Sequence, residues 1–172
     1  MHPLALILPD SLPASAVASR LMAVLLLIGI NAFFVAAEFS IVSVRRSRIS
    51  QLISQGDVQA RTVQHLQGNL NRLLSTTQLG ITLSSLALGW IGESTMAVIL
   101  AFWLSHSPLT RGQGESLAHG IAIPTAFLLV AYLQIVLGEL CPKSLAMLYP
   151  EELARYLAPL SLAIAQIGRA HV

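Results

Sequence analysis

The chain has 172 residues, 55% of them hydrophobic and 10% charged, with a mean hydropathy of +0.71; soluble globular domains carry about a quarter charged residues, so this composition excludes that class and marks a membrane protein. The net charge of +2 is too small to argue for nucleic acid. A single cysteine, Cys141, excludes both an internal disulfide and a thiolate metal site.

Residues 1–20 are punctuated by proline and end in small residues, the pattern of a cleaved leader. The segment lacks a Lys or Arg before its apolar part, however, and Leu4 to Leu8 is shorter than the about 7 to 15 residues a leader needs. It reads as an external tail. Leu21 to Val44 is the first predicted span. Arg45, Arg46, Arg48, Arg61 and Arg72 follow it with only Asp57 against them, and this excess of positive charge places the loop in the cytoplasm and the amino terminus outside. Asn31 and Glu38 lie seven apart on one helix face, and Ser40, Ser43 and Ser47 form a neighbouring stripe. A serine in a span usually bonds its own helix carbonyl. A carboxylate such as Glu38 needs protein, water or an ion.

Gln51 to Asn71 predicts a polar surface helix interrupted at Gly56. Leu70 to Leu104 is too long for one simple crossing, and Gly80, Gly89 and Gly92 predict breaks in it. The expectation is a full crossing to about Trp90 and then a short apolar helix over Thr95 to Leu104. Gln78, Thr82 and Ser85 form a polar stripe that continues as Gly89 and Gly92, suited to helix packing and compatible with ion contact. Ser105 to Leu117, with Pro108, Gly112 and Gly114, reads as an exterior loop.

Ile121 to Leu140 offers the roughly 20 apolar residues that a hydrocarbon core of about 30 Å requires, with no charge before Glu139. Pro142 lacks an N–H and crowds the carbonyl four residues back, which leaves the Gly138 carbonyl beside the Glu139 carboxylate as oxygen donors fit for a hard cation. The alternative reading pairs Glu139 with Lys143, one turn on. Glu151 and Glu152 then open a helix whose apolar face runs to Ile167 along the inner surface. Residues 168–172 continue no pattern and read as a truncated end. No phosphate loop, zinc-spaced cluster or nucleophile elbow occurs, so an enzyme is not expected.

Three stretches, Asn31 to Ser47 (NAFFVAAEFSIVSVRRS), Asn71 to Glu93 (NRLLSTTQLGITLSSLALGWIGE) and Gly138 to Glu151 (GELCPKSLAMLYPE), together resemble the transmembrane domain of the CNNM/CorC family, whose bacterial members are often labelled haemolysin-like. The resemblance covers nearly all of the chain from Leu21 onward, with the domain taken as residues 21–167. It implies an all-α, dimeric membrane domain of three transmembrane helices, the second of them broken here, with juxtamembrane helices at the inner side of the plasma membrane. It also implies transport of divalent cations, chiefly Mg²⁺, with export coupled to Na⁺. Family members continue into cytoplasmic CBS modules that bind nucleotide, and these are absent from this chain. Carried over by position, the implied metal ligands are Glu139, the Gly138 carbonyl and Ser43, to which the residue pattern adds Glu38 and Thr82. Val35, Ala36 and Ala37 stand where magnesium-transporting members have Ser-Ala-Ser, and Gly80, Ile81 and Thr82 where they have Gly-Asn-Asn. The alternative from a different class is a non-transporting membrane anchor that dimerises and positions cytoplasmic regulatory modules.

Overall fold

The structure, a computed structural model, describes residues 14–105 and 115–167. Most of the expected external tail, most of the exterior loop and the final residues 168–172 lie outside that range. The described chain is helical: α1 (Ala14–Ser43), α2 (Arg46–Ser54), α3 (Val58–Gly68), α4 (Leu70–Ser105), α5 (Glu115–Leu133), a wide π-helical turn (Gln134–Leu140), α6 (Cys141–Leu148) and α7 (Pro150–Ile167). Three stretches, Ser15–Ser43, Leu70–Leu100 and Gly120–Leu148, are long and apolar enough to cross a membrane. Their large apolar side chains stay uncovered, with Leu26 on α1, Leu86 on α4 and Leu128 on α5 each about two-thirds exposed. In water such surface would be costly, and against lipid tails it is the natural outer face of a span.

The second span differs from the expectation. α4 is one continuous helix of 36 residues, and the predicted break near Trp90 does not occur. Glycine weakens a helix mainly because its backbone loses the most conformational freedom there. In hydrocarbon an unbonded backbone group has no water to turn to, which outweighs that cost, so the backbone keeps its own hydrogen bonds through Gly89 and Gly92. Part of the predicted stripe on α4 faces outward, although Ser85 is half-buried and Gly92 buried. Gln78 and Thr82 are exposed, whereas Leu73, Thr77, Ser84, Leu88 and Thr95 are buried.

The chain divides into two compact units. In the first, whose described residues are 14–26, 88–105 and 115–130, the buried positions include Val24, Leu88, Thr95, Ala122, Ala126 and Val130. A Cβ at Gly92 would fall 2.9 Å from Val130 Cγ1, so a small residue lets α4 and α5 approach closely, as interfaces between spans require.

The second unit, whose described residues are 27–87 and 131–167, holds the juxtamembrane helices. Its core joins Ile41 and Val44 of the α1 end, Ile49 and Leu52 of α2, Ala60, Val63 and Leu66 of α3, Leu73 of α4, and Ala154 and Ala158 of α7. The predicted interruption at Gly56 is present: its φ of +92° is open to glycine at little cost, and it separates α2 from α3. Asp57 caps α3 by accepting from the Ala60 N–H at 3.1 Å, and it also receives Arg155 Nη2 at 2.6 Å. Glu151, in the first turn of α7, suits the helix dipole and meets Arg48 at 2.8 Å. The hydrogen bond and charge of Glu151 raise the Arg48 guanidinium above its ordinary pKa.

Candidate functional site

Pro142 cannot donate a hydrogen bond, and its ring collides with the carbonyl four residues back in a regular helix. The chain answers by widening: Gln134–Leu140 is π-helical, and the Cys141 N–H reaches back five residues to the Val136 carbonyl. Wide turns of this kind inside helices recur at functional sites. The Gly138 carbonyl, which Pro142 leaves without its helical donor, accepts instead from Asn31 Nδ2 of α1 at 3.0 Å. Asn31 is 2% exposed.

The Asn31 contact belongs to a connected set. Ser84 Oγ lies 2.9 Å and Ser85 Oγ 3.3 Å from Asn31 Oδ1, and Gln134 Nε2 donates to Ser85 Oγ at 3.1 Å. A directed chain of donors therefore runs from Gln134 through Ser85 and Asn31 to the Gly138 carbonyl. It starts and ends on the wide turn and passes through α4 and α1. Gly138 is the residue that permits it, since a Cβ there would come within 2.9 Å of Gln134 Oε1 and 3.2 Å of Asn31 Nδ2. Gln134 Oε1 is buried and has no hydrogen-bond partner among the described residues.

The five residues predicted as ligands stand in different environments. Gly138 is buried and its carbonyl is engaged by Asn31, which still leaves the oxygen a second lone pair. Glu139, next in the chain, is exposed and takes part in neither ion pair found among the described residues. Glu38 is half-buried and accepts from the Thr77 hydroxyl at 2.5 Å. Ser43 and Thr82 are exposed. Ser40, on the serine stripe, is fully buried and bonds the Ala37 carbonyl of its own helix at 3.2 Å, as a lone serine in a span does. Lys143 does not pair with Glu139: its Nζ lies 4.5 Å from the centre of the Phe39 ring, a cation–π contact with α1.

Thr77, Ser84 and Gln134 carry no site role in the sequence reading, although each bonds to a residue it singles out. Thr77 and Ser84 sit one position from the predicted stripe. Gln134 had a readable signal, being an amide in the middle of an apolar run four residues before Gly138.

A long uncovered apolar surface and three stretches long and apolar enough to cross a membrane define a multi-pass α-helical membrane domain. The chain belongs to the CNNM family: residues 21–168 match the cyclin M transmembrane N-terminal domain. It is similar to UPF0053 protein YugS of Bacillus subtilis, 41% identical over 140 residues that cover 81% of this chain and 32% of YugS. UPF0053 protein YhdT of the same organism is 42% identical over 139 residues, 79% of this chain and 29% of YhdT. UPF0053 protein sll0260 of Synechocystis is 34% identical over 154 residues, 90% of this chain and 34% of that protein. The chain thus spans about a third of the length of the curated relatives it matches.

Proposed function

We propose that this chain is the membrane domain of a divalent-cation transporter, with Mg²⁺ as cargo, export as the direction and Na⁺ as the coupling ion. It works as a homodimer in the plasma membrane, with the amino terminus outside and the arginine-rich helices in the cytoplasm. The observation that carries the reading is Glu139, a carboxylate inside the apolar span Gly120–Leu148 that is exposed and outside both ion pairs. A charge at such depth needs protein, water or an ion, and its own chain offers it none of the described cations. Beside it the Gly138 carbonyl keeps a free lone pair. Glu38, with Ser43 and Thr82, supplies further oxygens of the hard type that Mg²⁺ takes, the remaining positions being filled by retained water.

A second reading is favoured by one observation: the Glu38 carboxylate is already held by Thr77. On that reading the domain is a non-transporting anchor that dimerises and positions cytoplasmic nucleotide-binding CBS modules outside this chain. Glu139→Gln in the whole protein, reconstituted in proteoliposomes, separates the two. Loss of Mg²⁺ flux with normal insertion and dimerisation is the expected result. Flux equal to wild type in the variant removes Glu139 from the site, and absence of flux in the wild type itself establishes the anchor.

A further inference from the structure

We infer that Asn31 is the positioning residue of the Glu139 site, its side-chain amide replacing the backbone donor that Pro142 lacks; this rests on the reading of Glu139 as the cargo ligand. A proline at this point leaves two backbone problems, a missing N–H and an orphaned carbonyl. The wide turn relieves the clash, and Asn31 Nδ2, 3.0 Å from the Gly138 oxygen, satisfies the carbonyl from a helix 107 residues away in sequence. An unpartnered carbonyl in a buried, apolar setting is costly, so this bond does more than an exposed one to select the backbone shape.

The other atoms of the cluster make Asn31 specific for the task. Its amide must point Nδ2 at Gly138, because a carbonyl oxygen can only accept. Oδ1 is then left to receive the Ser85 hydroxyl, while the Ser84 hydroxyl is shared between Oδ1 and the Gly80 and Ile81 carbonyls of its own helix. Gln134, on the first residue of the wide turn, closes the loop through Ser85. The turn is thereby tied at its first residue and at the residue before Glu139. Clamping both points fixes the direction in which the Glu139 carboxylate leaves the helix. Asn31 need not touch the cargo. It holds the carboxylate and the second lone pair of the Gly138 carbonyl in a constant relation, and such preorganisation strengthens binding without adding a contact.

The test is a cycle in which the missing donor is returned by another route. Asn31→Leu removes the amide, Pro142→Ala restores a backbone N–H four residues after Gly138, and the double variant does both. The whole protein in lipid nanodiscs is read in two ways: hydrogen exchange of the amides of residues 134–141, and the affinity for Mg²⁺ alone. Asn31→Leu is expected to speed exchange and weaken Mg²⁺ binding by about tenfold each, the worth of one hydrogen bond. The double variant is expected to recover both to within about threefold, which a loss of packing alone does not explain. If Asn31→Leu does not accumulate in the membrane, accumulation of the double variant supports the inference and its failure overturns it. Unchanged exchange in Asn31→Leu, or no recovery in the double variant, also overturns it. If exchange follows the cycle while Glu139→Gln leaves Mg²⁺ binding intact, the clamp stands and the reading of Glu139 as ligand falls.

Discussion

Glycines in this chain divide by what surrounds them. At Gly138 a methyl group would press on Gln134 Oε1 and Asn31 Nδ2, and at Gly80 it would overlap the Phe34 ring. At Gly29 nothing lies within 4 Å. Gly138→Ala should therefore cost about 1–3 kcal/mol of stability, since it displaces two amides and breaks the bond to Asn31. Gly80→Ala should cost a similar amount by forcing the ring aside. Gly29→Ala, in contrast, should leave stability unchanged or raise it by about 1 kcal/mol through helix propensity. Thermal unfolding of the three variants in one detergent would check the order. Equal melting of Gly138→Ala and Gly29→Ala would mean that the cluster around Gly138 is looser than its distances imply.

At the level of elements, a side chain of α3 ties down the chain where α1 ends. Gln67, 6% exposed, donates through Nε2 to the carbonyls of Ile41 and Val44, each at 3.0 Å. Arg46 in turn reaches the Gln67 carbonyl at 3.3 Å. The last carbonyls of a helix need partners, and here they are met by a side chain from the juxtamembrane layer. This couples the end of the first span to that layer. Gln67→Leu fills the same space and strands both carbonyls, so it should destabilise by about 1–3 kcal/mol for each group left unpaired. Limited proteolysis of the protein in vesicles should show cleavage between α1 and α3 rising in this variant. Proteolysis at the wild-type rate would show that water or lipid headgroups serve those carbonyls equally well.

For the whole molecule, five arginines between Arg45 and Arg72 face a single acid, Asp57, in sequence, and the helices that bear them gather with α7 into one packed layer. The proposed topology puts that layer in the cytoplasm. Cys141 is free and exposed, so labelling requires a Cys141→Ser background. In that background a cysteine at Ser54 should react with an impermeant reagent only after permeabilisation, and one at Gly112 should react in intact cells. Reaction of both from the same side would leave an even number of spans and end the three-span topology.

Hydropathy, charge placement and proline position are properties of the chain read in one dimension, and for that reason the sequence alone determined the three apolar spans, the interruption at Gly56 and the strained carbonyl before Pro142. The inward face of α4 was legible only in part. Thr77 and Ser84, which are buried, lie one position before Gln78 and Ser85 of the expected stripe, and both pairs satisfy helical periodicity. The choice fell to tertiary packing, in which the Phe34 ring occupies the space a Cβ at Gly80 would need. The continuity of α4 through its glycines was likewise set by surroundings, because a backbone in hydrocarbon has no partner but itself. Pro142 announced that the Gly138 carbonyl would lack its helical donor. Only the folded chain decided that Asn31 would take it, since the two are brought within hydrogen-bonding distance by the packing of α1 against the wide turn and by nothing in their local sequence.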